Sequence, residues 1–394
     1  MDGLILPPAD WRHRPGLDRL VAALGEARFV GGSVRDTLLG LPVADIDIAT
    51  PLPPEEVIAR LKDSAIRCVP TGLKHGTITA VLDDGPVEVT TLRRDVDTDG
   101  RRAIVAFSTD WREDAARRDF TINALYADPV SGQVFDYFGG LADLEARHIR
   151  FIGDPYARIA EDHLRILRFF RFLARFGDAA DPTGLDACTA RAKDLMALSR
   201  ERIADELLKL LVAKDAVQVV TLMIARGIFE PVLPEITSAE RLTRLAEREA
   251  GTGTPANAIR RLAALLPRDP ATADSVGARL KLSNAMRQRL IRAATPVGDE
   301  NPRALGFRIG TEQAADALLL SDRDLGDVRR IQGWEPPILP IGGGAIVARG
   351  VKAGPDVARL LGKVRDQWVA EGFPDAARVE AIADAAVAEA LGRE

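Results

Sequence analysis

Two short segments lie close together in the chain: Val30-Gly31-Gly32-Ser33-Val34-Arg35-Asp36 and Asp45-Ile46-Asp47-Ile48-Ala49-Thr50. We predict a strand over Asp45–Ala49. Side chains two residues apart in a strand point to the same face, so the carboxylates of Asp45 and Asp47 should lie together. Like charges this close repel each other, and the pair therefore needs a compensating cation or a functional role.

The two segments together suit the binding of a nucleotide with a metal ion. Carboxylates are hard oxygen ligands, and Mg²⁺ binds proteins through one or two of them together with substrate phosphates. The Gly31-Gly32-Ser33 turn lets backbone N–H groups approach a triphosphate, and a helix that begins there favours an anion. An Asp-x-Asp pair alone is more typical of a solvated edge or turn, but at this spacing from the glycines it indicates metal-dependent nucleotidyl transfer.

A third carboxylate is expected on a neighbouring strand. The sequence predicts a helix over Pro53–Asp63 and then a hairpin of Thr77–Leu82 and Val87–Leu92, joined by the turn signal Asp83-Asp84-Gly85-Pro86. Strand alternation places Glu88 on the face opposite Val87, Val89 and Thr91. Catalysis by two metal ions needs ligands that bridge both, usually three carboxylates. Glu88 fits that role, although an ordinary solvent-facing glutamate fits the pattern equally well.

A segment rich in arginine follows in this otherwise acidic chain. The apolar spacing of Ile159–Phe176 predicts one amphipathic helix, with Asp162 and Arg165 as neighbours on one face. A carboxylate accepts from the exocyclic amino group of cytosine or adenine, and a guanidinium donates to ring acceptors. Uracil and guanine present a carbonyl where the carboxylate needs a donor. The alternative is a surface salt bridge between the two side chains.

Between these regions, Arg94–Thr109 looks irregular and polar, with Asp95, Asp97, Asp99 and Gly100, and we expect a mobile loop. It precedes Arg118-Asp119-Phe120-Thr121-Ile122-Asn123-Ala124. From pattern alone, Asn123 among apolar residues could cap or bridge a buried turn.

Composition limits the number of domains, the compartment and the surface charge that we expect. A chain of 394 residues with 46% apolar content can bury a full core and should hold more than one domain. Cys68 and Cys188 show no metal or disulfide spacing, which suits a reducing compartment. No leader and no long apolar run is evident, so we expect a cytoplasmic protein without membrane contact. The net charge of −5 argues against a uniformly basic surface, but it leaves local RNA binding open.

The order of the motifs resembles that of the bacterial class II tRNA nucleotidyltransferases, the CCA-adding enzymes, and of their relatives the bacterial poly(A) polymerases. The matching segments are Gly31-Gly32-Ser33-Val34-Arg35-Asp36, Asp45-Ile46-Asp47, Arg118–Ala124, Glu161-Asp162-His163-Leu164-Arg165 and Ser199-Arg200-Glu201-Arg202-Ile203 with Glu206-Leu207. The resemblance is specific from about Phe29 to Leu211. Beyond that it rests on helical character and on Gly350-Val351-Lys352-Ala353-Gly354-Pro355.

The resemblance implies an α+β protein with a small nucleotidyltransferase β-sheet head and an all-α remainder. The head would span 1–139 and a helical neck with the nucleotide-recognition helix would span 140–211. A helical body and tail over 212–394 would bind the acceptor and T arms of tRNA. The implied substrates are CTP and ATP, and no obligatory protein partner is evident.

The resemblance also implies roles for individual residues. Asp45, Asp47 and Glu88 would be catalytic and hold two Mg²⁺ ions, and Asp162 with Arg165 would select the base in place of a nucleic acid template. The further residues expected to bind nucleotide are Gly31, Gly32, Ser33, Arg35, Asp119, Asn123, Arg168 and Arg171.

Three alternatives stay open. A poly(A) polymerase shares head and neck, but its Arg-Arg-Phe-x-x-x-His pattern is replaced here by Thr71-Gly72-Leu73-Lys74-His75-Gly76-Thr77, which favours CCA addition. A partial enzyme would add only the two C residues or only the terminal A. A catalytically inactive RNA-binding scaffold is the third, and the intact carboxylates argue against it, since paired carboxylates without a metal only cost stability.

Overall fold

The computed structural model describes residues 4–98 and 103–392. The chain divides into two compact units, Met1–Pro234 and Glu235–Glu394. The finer division into head, neck, body and tail stays a prediction. The first unit combines a mixed sheet with helices, and the second consists of helices throughout its described part, in agreement with the α+β class.

Seven strands of the first unit form one sheet, in the order β3-β4-β5-β2-β1-β8-β9. A second pair, β6 and β7, and a third pair, β10 and β11, form separate two-stranded sheets. In chain order the strands are β1 Arg28–Val30, β2 Asp47–Thr50, β3 Arg67–Gly72, β4 Thr77–Leu82, β5 Gly85–Thr91, β6 Arg93–Thr98, β7 Ala103–Phe107, β8 Leu125–Ala127, β9 Val134–Asp136, β10 His148–Ile149 and β11 Ala179–Ala180.

The predicted hairpin is confirmed. Strands β4 and β5 pair antiparallel from Leu82 and Gly85 onward, so Asp83 and Asp84 form the turn. Val87, Val89 and Thr91 are buried while Glu88 is exposed, as strand alternation predicts. Strand β5 also pairs with β2 in parallel.

The first unit also contains helices. They are α1 Leu17–Leu24, α2 Gly32–Leu38, α3 Pro54–Asp63, α4 Trp111–Ala116, α5 Gly140–Glu145, α6 Pro155–Glu161, α7 Arg165–Phe176, α8 Pro182–Ala190, α9 Arg200–Leu211 and α10 Ala216–Ala225. A helix thus begins at Gly32, directly after the glycine turn, as expected.

The prediction of one continuous helix over 159–176 is wrong. Helix α6 ends before Asp162, whose backbone is extended at φ −152° and ψ 106°, and α7 begins at Arg165. One oxygen of the Asp162 carboxylate accepts from the backbone N–H of Leu164 at 3.1 Å. Aspartate often binds backbone N–H groups in this way and thereby competes with the helix. The apolar spacing continues across the break, and for this reason it concealed the interruption.

The prediction of an irregular stretch over 94–109 is also wrong. Its flanks form the antiparallel strands β6 and β7, with a register shift between Asp95 and Asp97. The sequence of β6, Arg93-Arg94-Asp95-Val96-Asp97-Thr98, contains one apolar residue and no apolar face, so it lacks the usual signal of a strand. Asp99 and Gly100, which contributed to the prediction, lie outside the described residues.

The second unit contains helices joined by short breaks. They are α11 Glu240–Thr252, α12 Ala258–Leu265, α13 Pro270–Arg279, α14 Asn284–Ala294, α15 Pro302–Ile309, α16 Thr311–Leu319, α17 Leu325–Arg329, α18 Gly343–Ala348, α19 Pro355–Ala370 and α20 Ala376–Ala390. Trp368 lies at the centre of an apolar core near the end of the chain, and Phe373 packs edge-on against it at 4.9 Å. In the described residues, every helix is too short or too polar to cross a membrane.

An ionic cluster with a buried centre joins four helices of this unit. Arg260 on α12 donates to Glu249 on α11 at 2.6 Å and to Asp316 on α16 at 2.9 Å, and these three residues are 3%, 3% and 1% exposed. Arg289 on α14 forms two further bonds with Asp316, at 2.6 and 3.1 Å, and Arg261 binds Glu249. We call these five residues the Arg260 cluster.

Candidate active site

Strand pairing brings the three predicted carboxylates to one place. Asp47 opens β2 and is the register partner of Glu88 in β5, so their side chains lie on the same face of adjacent strands. The strand begins at Asp47 rather than Asp45, although Ile46 already accepts from the N–H of Glu88 at 3.1 Å. Asp45, Asp47 and Glu88 line a common cavity of about 430 Å³, together with Ile46, Thr79 and Pro86.

This carboxylate pocket lacks positive charge. Burial raises the pKa of Asp47, the nearby carboxylates of Glu88 and Asp45 raise it further, and Arg118 opposes them, leaving the pKa at about 6. In the described part of the chain, no group of three His, Cys, Asp or Glu side chains is arranged to hold a metal ion. The donor set nevertheless fits a hard divalent cation, because three carboxylates meet in one cavity.

Arg118 is the cation whose charge lowers the pKa of Asp47, and the sequence predicted no individual role for it. Its guanidinium donates to the buried carboxylate of Asp114 at 3.0 Å and to the hydroxyl of Tyr126 at 3.3 Å. Although burial acts in the opposite direction, Arg118 and Arg117 hold the pKa of Asp114 far below its usual range. The carboxylate of Asp114 therefore fixes Arg118 where it can face Asp47.

The glycine turn lies against the same arginine. Gly31 has φ +68°, in the left-handed region, and a Cβ there would stand 3.4 Å from a guanidinium nitrogen of Arg118. The hydroxyl of Ser33 donates to the carbonyl of Val30 at 3.3 Å and is buried. Since the first N–H groups of a helix have no partner within the helix, Gly32 and Ser33 offer backbone donors to a ligand.

A chain of buried polar contacts extends from this turn. Arg35 donates to Asp36 at 2.8 Å and to the amide oxygen of Asn123 at 2.5 Å, and Asn123 donates to Asp119 at 3.0 Å. Asp119 also accepts from Arg168 at 2.7 Å.

Beyond Arg168 this series of polar contacts reaches a glutamate. Glu206 lies 3.7 Å from Arg168 and accepts from Arg171. We call these seven residues the Asp119 network: Arg35, Asp36, Asp119, Asn123, Arg168, Arg171 and Glu206. The network joins five of the predicted nucleotide-binding residues, and the hypothesis that Asn123 bridges a buried turn is also consistent with it.

The charge of Asp119 depends on these partners. Burial alone would raise its pKa, but Arg168 and the hydrogen bonds from Asn123 and Arg168 lower the pKa to about 2. Asp119 is therefore ionised at neutral pH, and the side chain of its partner Arg168 is 31% exposed.

The predicted base-selecting residues are close in sequence but bind different partners. Asp162 accepts from Arg202 at 2.7 Å, and its side chain is 32% exposed. Arg165 donates instead to Glu161 at 2.5 Å and to the carbonyl of Arg117 at 2.8 Å. Neither the single helical face nor the alternative salt bridge between Asp162 and Arg165 is formed.

The sequence predicted no individual role for three residues that form these contacts: Arg118, Arg202 and Glu206. Each stands inside a motif that the sequence made visible, but a motif does not tell which of its charged members pair with which carboxylate. An arginine or glutamate in an amphipathic helix resembles any solvated residue until its partner is located.

Carboxylates on adjacent strands, a glycine turn that opens a helix and a nearby arginine define the class of the protein as a nucleotidyltransferase. Comparisons with known proteins agree. Residues 27–150 match the model of the poly A polymerase head domain, and residues 181–240 match that of a probable RNA and SrmB-binding site of polymerase A.

Relatives that are similar over most of the chain identify the family more specifically. The chain is 36% identical to mitochondrial CCA tRNA nucleotidyltransferase 1 of Mus musculus, over 88% of this chain and 84% of the relative. It is 34% identical to the CCA-adding enzyme of Levilactobacillus brevis, over 96% and 99% of the two chains. The chain belongs to this family, the CCA-adding tRNA nucleotidyltransferases.

Solved structures support the same assignment. The CCA-adding enzyme of Bacillus stearothermophilus in complex with CTP superposes with a TM-score of 0.67 at 27% identity, covering 91% of this chain and 94% of the other. The Thermotoga maritima CCA-adding enzyme complexed with tRNA has a TM-score of 0.68 and covers 95% of each chain. At 21% identity the second match supports the fold alone.

Proposed function

We propose that this protein adds C, C and A to the 3′ end of tRNA from CTP and ATP, without a nucleic acid template. The RNA 3′-hydroxyl attacks the α-phosphorus of the nucleotide, a phosphodiester bond forms, and pyrophosphate leaves. The observation that carries this proposal is the pairing of Asp47 with Glu88 in a cavity shared with Asp45. The similarity over nearly the whole chain to CCA-adding enzymes supports the choice of substrates.

Asp45, Asp47 and Glu88 would hold two Mg²⁺ ions. When bound, such ions activate the attacking oxygen and neutralise the leaving pyrophosphate. The crowding of three carboxylates supports this assignment, because burial and the neighbouring carboxylates raise the pKa of Asp47, and positive charge in the cavity would favour its ionised form.

The triphosphate would lie on the turn of Gly31, Gly32 and Ser33, bound by backbone N–H groups. The guanidinium of Arg35 lies against this turn, 3.7 Å from a Cβ placed at Gly32, and it also donates to Asn123. Arg35 could therefore bind the triphosphate and position Asn123 beside it. Asp119 and Asn123 would contact the sugar, while Arg168 and Arg171 would meet the triphosphate or the primer. Arg168 is suited to this role because part of its side chain is exposed.

Asp162 would read the amino group of cytosine or adenine, and Arg165 would complete the reading of the base. Each oxygen of the Asp162 carboxylate has one protein donor, Leu164 or Arg202, and a carboxylate oxygen can accept more than one hydrogen bond. Asp162 can therefore accept from a base while Arg202 holds it in place.

The proposal also includes the organisation and location of the protein. We infer a catalytic head over 1–139, a neck over 140–211 and an RNA-binding body and tail over 212–394. The free thiols of Cys68 and Cys188 support a reducing compartment, and we propose the cytoplasm.

The decisive experiment measures nucleotide incorporation into tRNA that ends at the discriminator base, with CTP, ATP or both, beside an oligo(A) primer. Addition of C, C and A followed by arrest is the expected result. Addition of C and C only, or of A only to tRNA that already ends in CC, would identify a partial enzyme. Long A tails on oligo(A) would identify a poly(A) polymerase, and no incorporation would favour the RNA-binding scaffold.

A further inference from the structure

Four arginines of the second unit meet at one small cavity. Arg241, Arg244 and Arg248 lie three and four residues apart on α11, hence on one face of that helix, and Arg268 follows α12. The cavity has a volume of about 190 Å³. We call it the arginine pocket.

The rest of the lining offers little compensating charge. Leu245, Leu319 and Leu320 are buried and form apolar parts of the wall, and Ser321 and Asp322 complete the lining. Asp322 is the single carboxylate among the lining residues, against four guanidinium groups. Arg244 binds it at 3.1 Å and also lies 3.5 Å from Glu240, but these carboxylate side chains are 80% and 79% exposed, so solvent weakens both pairs.

The other guanidinium groups of the pocket form no ion pair with the described residues. Arg248 donates only to backbone carbonyls, those of Leu318, Leu319 and Arg323, at 2.6 to 3.1 Å. These bonds satisfy the end of α16, and they fix a positive charge without neutralising it.

Arg241 has an unused donor. One of its terminal nitrogens donates to the carbonyl of Leu266 at 2.5 Å, while the other is buried and has no hydrogen-bond partner. Burial together with the charges of Arg268 and Arg244 lowers the pKa of Arg241. Like charges three and four residues apart destabilise a helix, and an unsatisfied buried donor costs further stability. The hydrogen bonds of Arg248 to the end of α16 explain the position of Arg248, but they do not explain why the other arginines lie beside it.

We propose that the arginine pocket binds a phosphate group. Several guanidinium forks can donate together to the oxygens of one phosphate, and charge-assisted bonds of this kind are strong. Two sources share this chemistry. One is a phosphodiester of bound RNA, a source that rests on the proposed function. The other is free phosphate or pyrophosphate.

The test uses the full chain and the exposed members of the pocket. Arg244→Gln and Arg268→Gln each remove one charge, and Arg378→Gln is the matched control, because Arg378 is an exposed arginine of the same unit that pairs with Glu371 outside the pocket. Affinity for intact tRNA is measured over a range of KCl concentrations. We expect each pocket variant to weaken binding about threefold to tenfold and to lower the salt slope by about one phosphate contact, with no change in the control.

A second arm follows the melting temperature of the same proteins in sodium phosphate and in sodium pyrophosphate, against sodium chloride of equal ionic strength. Stabilisation of the wild type that both pocket variants lose, with unchanged tRNA affinity, would identify the free anion as the ligand. Variants that match the control in both arms would overturn the inference. The incorporation assay on the wild type decides the proposed function separately, since that assay does not depend on the pocket variants.

Discussion

The Asp119 network and the Arg260 cluster are both built from buried arginines and carboxylates, but the network is more open to solvent: the side chain of Arg168 is 31% exposed, against 18% for Arg289 in the cluster. In the Arg260 cluster the carboxylates of Glu249 and Asp316 are almost fully buried, and Arg260 binds both. In the Asp119 network a neutral amide, Asn123, stands between the charges, and Arg168 is partly exposed. The network therefore offers a ligand one partly accessible guanidinium, whereas the carboxylates of the cluster are 3% exposed or less.

The carboxylate pocket extends this contrast. It contains like charges with too few partners, and the Arg260 cluster contains opposite charges that satisfy each other. Buried charge is thus a sign of function where it is left incomplete and a sign of structure where it is complete. If this is right, substitutions in the carboxylate pocket should change chemistry without loss of stability, substitutions in the cluster should change stability, and substitutions in the network should change both.

The largest effect is expected for Asp47→Asn. We expect the rate of CTP incorporation to fall about a thousandfold or more, because the ligand set loses its central carboxylate. The melting temperature should stay the same or rise, because repulsion from Glu88 disappears. Single-turnover incorporation and thermal denaturation measure the two effects. Asp83→Asn, in the turn between β4 and β5, is the matched control and should behave as the wild type. Appreciable Mg²⁺-dependent turnover by Asp47→Asn would refute the metal assignment.

Arg260→Met should have the opposite effect: it should lower stability and leave activity nearly unchanged. It leaves two buried carboxylates with fewer partners, so the free energy of unfolding should fall by about 3–5 kcal/mol. Chemical denaturation measures that loss, and incorporation per folded molecule at low temperature should remain close to that of the wild type. Arg359→Gln, which breaks an exposed ion pair with Asp356, should cost less than about 1 kcal/mol. A large loss of activity without loss of stability would contradict a purely structural role of the Arg260 cluster.

Asp162→Ala should alter base choice more than metal binding. Without its carboxylate, the preference for CTP and ATP over UTP and GTP should weaken about a hundredfold, because the acceptor for the amino group is gone. Competition between the four nucleotides on one tRNA measures this preference, and the Mg²⁺ dependence of the remaining activity serves as the internal control. Full discrimination by the variant would exclude the templating role.

The smallest effect is expected for Asp119→Asn, whose loss of stability should depend on pH. The pKa of Asp119 is about 2 in the folded protein and about 4 when unfolded, so its ionised form stabilises the fold above pH 4 and this contribution disappears as pH falls toward 2. Asp119→Asn should therefore be less stable than the wild type by about 2 kcal/mol near neutral pH. Denaturation at several pH values should show the difference shrinking below pH 4. A difference that stays constant with pH would mean that Asp119 does not carry this charge.

Local patterns predicted much of the fold and the site. The alternation in Val87–Thr91 gave the correct face for Glu88, and the glycine turn gave the start of α2. Prediction failed where a side chain competed with the backbone, as at Asp162, and where a strand had no apolar face, as in β6. It also failed for Arg118, Arg202 and Glu206, because their importance depends on partners that are distant in sequence.

The order of strands in the main sheet has a consequence for protein synthesis. Strand β1 lies between β2 and β8, and β8 ends at Ala127, nearly a hundred residues after β1. A nascent chain on the ribosome that has emerged only as far as Glu88 holds all three carboxylates but neither Arg118 nor the second neighbour of β1. Long-range pairing of this kind closes late in folding. The carboxylate pocket therefore gains Arg118 only after its acidic residues have been made, and chains that end at Glu88 leave the outer edge of β1, Arg28–Val30, unpaired.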